Sequence, residues 1–173
     1  MRDFFKLAHV IPVHKGGSRG VPANFRPVSL TSHIMKTFER VIRQSLSNHL
    51  EVNQKLNPNQ HGNKRSCLSQ LLEHHDRILS HLEDGHNVDS IYLDFAKAFD
   101  KVDIGILCHK LKSLGISGKL GVLLHNFLSN RKQVVLANNV KSKESEVKSG
   151  VPQGTVLGPV LFLILIIAGS SPP

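Results

Sequence analysis

One carboxylate closes an apolar run in the middle of the sequence. Asp94 follows Ile91, Tyr92 and Leu93 and directly precedes Phe95. Such an aspartate either caps the turn that follows, which is the commoner role of an isolated Asp, or binds a hard cation such as Mg²⁺. Because a buried, unpaired carboxylate is costly, a buried Asp94 would require a cation beside it. The spacing alone favours the cap.

The net charge of +9 is unevenly distributed along the chain. Residues 1–65 carry 11 basic and 3 acidic side chains, residues 66–108 carry 3 and 8, and residues 109–173 carry 8 and 2. Basic flanks around an acidic middle suit a polyanion held beside a metal site. An ordinary basic surface is the alternative, which composition alone slightly favours.

Composition indicates a folded protein of the cell interior. Hydrophobic residues make up 40% and charged residues 20% of the chain, which excludes a disordered tail. Cys67 and Cys108 lack CxxC spacing and are expected to be free thiols in a reducing compartment. The N-terminus lacks a signal peptide's apolar stretch, and the apolar run over residues 160–168 is too short to span a bilayer. We therefore expect a nuclear or cytoplasmic protein without membrane contact.

The first half of the chain is predicted to contain a hairpin and two helices. Residues 7–15 and 25–30 form the strands, joined by a glycine-rich loop. Thr31 or Ser32 can cap the next helix. Its predicted apolar face consists of Ile34, Phe38, Val41, Ile42 and Leu46. After a loop over residues 53–66, a second amphipathic helix carries Leu68, Leu71, Leu72, Ile78, Leu79 and Leu82 and ends at Asp84-Gly85.

The second half is predicted to begin with the strand that carries Asp94, over residues 88–95. Five elements follow: a helix capped by Asp103 and ended by Gly115, a helix over residues 118–128, two strands within residues 133–147 that flank Asn138-Asn139, and a last helix with Pro159 in its first turn. This order indicates an α+β fold rather than a regular alternation of strands and helices.

Several histidines near the second helix resemble a metal cluster at first sight. They are His74, His75, His81 and His86, with Glu73 beside them. These residues lack the H-E-x-x-H arrangement of helical zinc sites, and His75 falls on the apolar stripe. We interpret them as satisfied or solvated side chains.

Four segments resemble the reverse transcriptases of non-LTR (LINE-type) retrotransposons, in the order of that family. "VIPVHKGG…NFRPVSLTSHIMKTFERVI" resembles its fingers motifs, "NQHGNKRSCLSQLL" the stretch that joins fingers to palm, "IYLDFAKAFDKVD" the first palm motif, and "SGVPQGTVLGPVLFLI" the glycine-rich motif. One such motif is weak evidence, whereas four in sequence are strong. The resemblance covers about residues 1–165.

The resemblance implies the architecture of a right-hand polymerase. Residues 1–87 would form the fingers and their connection to the palm, residues 88–168 part of the palm with an incomplete sheet, and residues 169–173 a disordered tail. The thumb would be absent. The last helix would lie under missing palm strands, so we expect the apolar residues 161–167 to be partly exposed.

The resemblance also implies roles for residues of the first palm motif. Asp94 matches the aspartate that binds both magnesium ions, and the backbone carbonyl of Phe95 would add a metal contact. Phe99 matches the bulky residue under the incoming sugar, where it would favour deoxynucleotides; a plain core residue is the alternative.

Basic and turn residues are implied to hold the nucleotide. Lys15 and Arg26 match fingers residues that grip the triphosphate, and the planar fork of arginine suits phosphate oxygens. For Lys15, a simply solvated side chain is an equal alternative. Pro152, Gln153 and Gly154 match the turn against which nucleotide and template lie, where glycine lets the backbone approach closely.

The family's second carboxylate motif, an F/Y-A-D-D hairpin, does not occur in these 173 residues. Two magnesium ions need several oxygen ligands, so we expect weak or absent Mg²⁺ binding and no polymerisation by this chain alone.

The leading hypothesis is therefore part of an RNA-directed DNA polymerase, which transfers a nucleotide from dNTP to a primer 3′ hydroxyl. Its expected partners are an RNA template, a DNA primer, dNTP and possibly a complementing polymerase half. The alternative is a non-catalytic nucleic-acid-binding remnant of a mobile element. A metal-dependent nuclease is less consistent with the sequence, because no second acidic cluster occurs at useful spacing.

Overall fold

A hairpin near the N-terminus forms one side of the sheet. The structure, a computed structural model, describes residues 6–56, 60 and 66–167. Strands β1 (Leu7–His14) and β2 (Phe25–Leu30) pair antiparallel, as predicted. Between them the chain makes a short 3₁₀ turn, and the Lys15 amide donates to the Asn24 carbonyl at 2.9 Å, which closes the hairpin loop.

A second hairpin extends the sheet on the other side of β1. Strand β3 (Arg131–Ala137) runs parallel to β1, and β4 (Val140–Lys141) and β5 (Ser145–Val147) both pair antiparallel with β3. The turn between β3 and β4 is Asn138-Asn139, with φ of +50° and +62°. This confirms the two-residue turn predicted from the asparagine pair.

Helix α1 (His33–Val52) begins where the sequence predicts, but its buried face differs from the prediction. The Ser32 hydroxyl accepts from the Met35 amide at 3.2 Å and caps the helix. The buried residues are Met35, Glu39, Ile42, Leu46, Ser47 and Leu50. Of the predicted face, Ile42 and Leu46 are buried as expected, whereas Ile34, Phe38 and Val41 are exposed. The buried face is therefore displaced by about one position along the helix at three of the five predicted residues.

Three further helices enclose the core with α1. They are α3 (Ile104–Ser113), α4 (Gly118–Leu128) and α5 (Gly158–Ile167). Asp103 caps α3 by accepting from the Ile106 amide at 2.8 Å, and Gly115, at φ +82°, follows its end, as predicted. None of the helices in the described part of the chain is both long and apolar enough to cross a membrane.

Helix α5 is partly buried and partly exposed. Leu161, Leu163 and Ile164 are buried, because α1 and α3 pack against α5. Phe162, Leu165 and Ile167 are half-buried and Ile166 is exposed, so the expected partial exposure of residues 161–167 holds for part of this run. The predicted tail, residues 169–173, lies outside the described residues, as does most of the predicted loop over residues 53–66.

Helix α2 (Cys67–Glu83) forms as predicted but buries none of its residues. Ser66 caps its start, and the turn at Asp84-Gly85 ends it. Its predicted apolar residues Leu68, Leu71, Leu72, Leu79 and Leu82 are all exposed. The amphipathic pattern thus predicted the helix correctly. Among the described residues, however, no element covers its apolar side.

The predicted strand over residues 88–95 is wrong. These residues adopt no regular secondary structure. Ile91 and Leu93 are 85% and 93% exposed. A strand forms only when another strand satisfies its backbone groups, and the described residues provide none beside this segment, which we call the Asp94 segment.

Candidate functional site

The glycine-rich turn, residues 149–157, is held against the chain just after the Asp94 segment. The Gly150 amide donates to the Val102 carbonyl at 2.8 Å, and the Val151 amide donates to the Phe99 carbonyl at 2.9 Å. The Ser149 hydroxyl adds a bond of 3.1 Å to the Asp100 carbonyl. Two segments far apart in sequence therefore run side by side.

Glycine is required at position 150 by this close approach. Gly150 has φ +92°, and a Cβ there would lie 2.9 Å from the Phe99 carbonyl oxygen and 3.0 Å from the Asp100 Cα. Backbone atoms cannot yield as a flexible side chain can. The glycine thus permits the contact that fixes Phe99 relative to the turn.

The other end of the turn is attached to β2. The Ser29 amide donates to the Gln153 carbonyl at 2.8 Å, so the turn occupies the free edge of the strand. At Gly154, φ is +98° and a Cβ would lie 2.8 Å from the Ser29 carbonyl oxygen. Arg26 is exposed on the same strand, and by strand alternation it shares a face with Val28, whose side chain lies 3.3 Å from that Cβ position.

A buried glutamate accepts hydrogen bonds from the end of the glycine-rich turn. Oε2 of Glu39 accepts from the Val156 amide at 2.6 Å and from the Leu157 amide at 3.0 Å, directly before α5 begins. Glu39 is fully buried, and its Oε1 has no partner among the described residues. Burial raises the pKa of Glu39 above 4.5, while the two amides and the charges of Arg131 and Lys36 oppose this rise.

A second buried charged residue is Arg131, the first residue of β3. Arg131 donates from Nη1 to the Phe127 carbonyl at 3.1 Å, and its guanidinium lies 5.1 Å from the centre of the Phe127 ring. Burial lowers the pKa of Arg131, and the negative charge of Glu39 opposes that fall. Glu39 and Arg131 are thus two buried groups of opposite charge, and for each of them burial disfavours the charged form more than the other's charge favours it.

A cavity of about 370 Å³ separates the turn from the sheet. Pro152 and Gln153 form one wall, and Ala8 and Val10 of β1 form another. The other predicted site residues are not among its lining residues. The cavity therefore joins the turn to the inner sheet face, not to the face that carries Arg26.

Phe99 packs against α5. Its ring centre lies 5.2 Å from that of Phe162, and the Phe95 ring lies 6.3 Å from the same residue. Phe99 is half-buried, whereas Phe95 is mostly exposed. Phe99 thus lies between the turn and α5, and the Asp94 segment leads away from this contact into solvent.

Asp94 and Lys15 stand apart from these contacts. The side chain of Asp94 is exposed and forms no hydrogen bond or ion pair with residues that the structure describes. Within the described ranges, no group of three or more metal-ligating side chains includes Asp94. The described residues therefore bring no pair of further potential metal ligands close to Asp94. Lys15 is exposed beside the hairpin loop.

Comparison with known proteins places the chain in a family. The profile described as "Reverse transcriptase (RNA-dependent DNA polymerase)" matches residues 13–169. The chain belongs to the reverse transcriptase family. The resemblance to the enzymes of non-LTR retrotransposons is thereby confirmed.

Curated relatives of this reverse transcriptase chain are polymerases of mobile elements. The chain is 31% identical over 163 residues to a probable RNA-directed DNA polymerase from transposon BS of Drosophila melanogaster, with 92% of the chain aligned. It is 33% identical to one from transposon X-element of the same species, over 92% of the chain, and 33% identical to the RNA-directed DNA polymerase from mobile element jockey of Drosophila funebris, over 91%. The chain spans 17–18% of the length of these relatives.

Two buried charged residues of this region were missed from the sequence. Glu39 occupies a position of the α1 core stripe, between Met35 and Ile42, and a charge in such a position is a signal of a buried polar contact. Arg131 begins β3 and carried no comparable signal. Of the predicted residues, the structure brings Phe99, Pro152, Gln153 and Gly154 together, with Arg26 on the adjacent strand.

Proposed function

We propose that these residues form the fingers (1–87) and part of the palm (88–168) of an RNA-directed DNA polymerase, which adds dNTP to the 3′ hydroxyl of a DNA primer on an RNA template. One observation carries the proposal: the glycine-rich turn bonds both to β2, the strand of Arg26, and to Phe99, five residues after Asp94. Groups with complementary roles thus meet at one turn.

The proposed roles follow from the charge and exposure of each group. Arg26 and Lys15 are exposed cations on the hairpin, suited to the triphosphate. Gln153 and Gly154 present a turn on the edge of β2, where nucleotide and template would lie. The half-buried Phe99, held by α5, would support the sugar and crowd a 2′ hydroxyl.

We further propose that these 173 residues do not polymerise alone. Asp94 and the Phe95 carbonyl would supply part of a magnesium site, and the sequence contains no F/Y-A-D-D motif to supply the rest. One carboxylate does not compensate two dications, so Mg²⁺ should bind weakly until further carboxylates are provided by another polypeptide segment.

Nucleotide binding tests the site directly. The chain is mixed with an RNA–DNA primer–template, and dNTP-dependent stabilisation of the complex is measured by fluorescence anisotropy. Arg26→Ala should weaken the dNTP effect by roughly tenfold or more, because a charged hydrogen bond is worth about 1.5–3 kcal/mol. Arg43→Ala removes an exposed cation of α1 and is the matched control. Equal losses in both variants would contradict the proposed site.

A second candidate function is nucleic-acid binding without catalysis. The exposed, unpaired Asp94 segment and the net charge of +9 favour it. Affinity for RNA–DNA duplex should then fall steeply with salt, since bound phosphates release counterions. The dNTP-dependent stabilisation described above separates the candidates, because only the polymerase proposal expects it. Primer extension with Mg²⁺ tests what the two share: incorporation that disappears in Asp94→Ala would refute both the proposed inactivity and this second function.

A further inference from the structure

The turn that ends α2 brings three metal-binding side chains together. His81, Asp84 and His86 each place one ligand atom within 4.8 Å of the other two. All three residues are exposed and therefore accessible to an ion. No other group of three such residues occurs within the described ranges, although the chain has 11 histidines. The cluster is thus a specific feature of this turn.

The backbone of the turn sets the spacing of the three residues. The His86 amide donates to the His81 carbonyl at 2.9 Å, and the Gly85 amide donates to the Leu82 carbonyl at 3.0 Å. Gly85 has φ +77°, which this helix ending requires. The two bonds fold the chain back on itself, so that the rings of His81 and His86 meet edge to face with centres 6.1 Å apart.

The donor set suits a borderline divalent transition metal such as Zn²⁺. Two imidazoles and one carboxylate are common zinc ligands, whereas Mg²⁺ prefers oxygen alone. Tetrahedral zinc with bonds of about 2.0–2.1 Å separates its ligand atoms by roughly 3.3 Å. Exposed side chains can close the remaining gap by small rotations. The negative end of the α2 dipole also favours a cation at this place.

We propose that His81, Asp84 and His86 form a site for Zn²⁺ or a similar transition metal, which fixes the exit of α2 into the Asp94 segment. A fourth coordination position stays open to water or another ligand. The site is independent of the polymerase proposal, because none of its residues belongs to the glycine-rich turn, β2 or the Asp94 segment.

The structure agrees with the sequence interpretation of these histidines as satisfied or solvated: His74 bonds to the Tyr92 hydroxyl at 2.9 Å, and His75, His81 and His86 are exposed. The proposed site goes beyond that interpretation. His86 lies past the end of α2, and Asp84, which the sequence places in the turn that ends the helix, completes the cluster.

Titration with Zn²⁺ alone tests the site in the complete 173-residue chain. Competition with a chromophoric chelator should give one ion per chain. His81→Ala, Asp84→Asn and His86→Ala should each weaken binding by at least about tenfold, since even outer-shell partners of metal ligands change affinity by about 10–100-fold. His75→Ala and Cys67→Ser alter exposed potential ligands of the same helix and should leave binding unchanged. Mg²⁺ should not compete.

Hydrogen exchange locates the bound ion. Zn²⁺ should slow exchange of the Gly85 and His86 amides, the donors of the two turn bonds, and the three ligand variants should abolish this effect. Circular dichroism verifies that the variants remain folded. If the control variants weaken Zn²⁺ as much as the ligand variants do, or if exchange at these two amides is unchanged by saturating Zn²⁺, the site is refuted.

Discussion

The glycine-rich turn and the Asp94 segment are both expected to serve one reaction, yet they are built in opposite ways. Backbone bonds tie the turn to Phe99, Val102 and Ser29, and Glu39 caps the helix that follows. The Asp94 segment has no strand partner among the described residues and exposes Ile91 and Leu93. Backbone contacts among the described residues hold the first region, whereas the second has no strand partner among them.

The difference bears on the proposed polymerase site, because it separates the region that the described residues hold in place from the region that they do not. The turn needs only partners from β2, α1 and residues 99–102, all of which are present. The Asp94 segment has the composition of a buried strand, but burial and strand pairing require a neighbour. The turn proposed to contact the nucleotide is therefore held by contacts within these residues, whereas the segment proposed to bind metal has no strand partner among the described residues.

Gly154→Ala should produce the largest loss of stability in the turn. The new Cβ would lie 2.8 Å from the Ser29 carbonyl oxygen at φ +98°. Left-handed strain of about 1–2 kcal/mol and overpacking of about 1–3 kcal/mol together predict a loss of roughly 2–5 kcal/mol in urea unfolding. Gly85→Ala, at φ +77° with open space around it, should cost the strain alone. Equal losses of stability in Gly154→Ala and Gly85→Ala would show that a Cβ at position 154 does not clash with β2.

Glu39→Ala should be the next largest change. It leaves the Val156 and Leu157 amides without their acceptor in a buried place, and each unsatisfied group costs about 1–3 kcal/mol. Removal of the buried carboxyl also relieves its own desolvation cost, which offsets part of these two penalties, so the free energy of unfolding should fall by roughly 2–4 kcal/mol. Glu39→Gln keeps an acceptor oxygen and should cost less than half as much. A glutamine variant as unstable as the alanine variant would mean that charge, not hydrogen bonding, is what the turn requires.

The raised pKa of Glu39 predicts a smaller, pH-dependent effect. Its pKa in the unfolded chain is the ordinary 4.5 and in the folded chain is higher. The folded state thus binds the proton more tightly, so this contribution to stability is complete below pH 4.5 and is lost as pH rises through the folded pKa. As the pH rises from 4.5 through the folded pKa, the free energy of unfolding of the wild type should fall relative to that of Glu39→Gln. Urea unfolding at several pH values measures this difference. A constant difference would contradict the raised pKa.

Elements with local signals were predicted well from the sequence. Ser32 and Asp103 cap the helices expected of them, and Asn138-Asn139 forms the expected turn. Each signal acts through residues within a few positions, so no knowledge of the fold is needed to read it. The glycine-rich turn was located for the same reason.

Features that depend on distant partners were not predicted. The Asp94 segment has the pattern of a strand, but a pattern cannot supply the neighbour that a strand needs. Glu39 bonds to Val156, 117 positions away, and its place on α1 was obscured because the helix face was read one position off. The parallel pairing of β1 with β3 spans four helices and has no local signal.

Leu93→Ser should have the smallest effect on the free energy of unfolding. It is also the most direct test of the contrast between the Asp94 segment and the glycine-rich turn. Leu93 is 93% exposed, so its replacement should change the free energy of unfolding by less than about 0.5 kcal/mol. Leu161→Ala, in the fully buried part of α5, should cost about 2–5 kcal/mol in the same assay. A cost above about 1 kcal/mol for Leu93→Ser would mean that the segment is covered in solution, and the contrast with the turn would fail. A negligible cost, together with reduced self-association in sedimentation, would show that the chain presents the apolar Asp94 segment to solvent, as expected of a segment with no strand partner among the described residues.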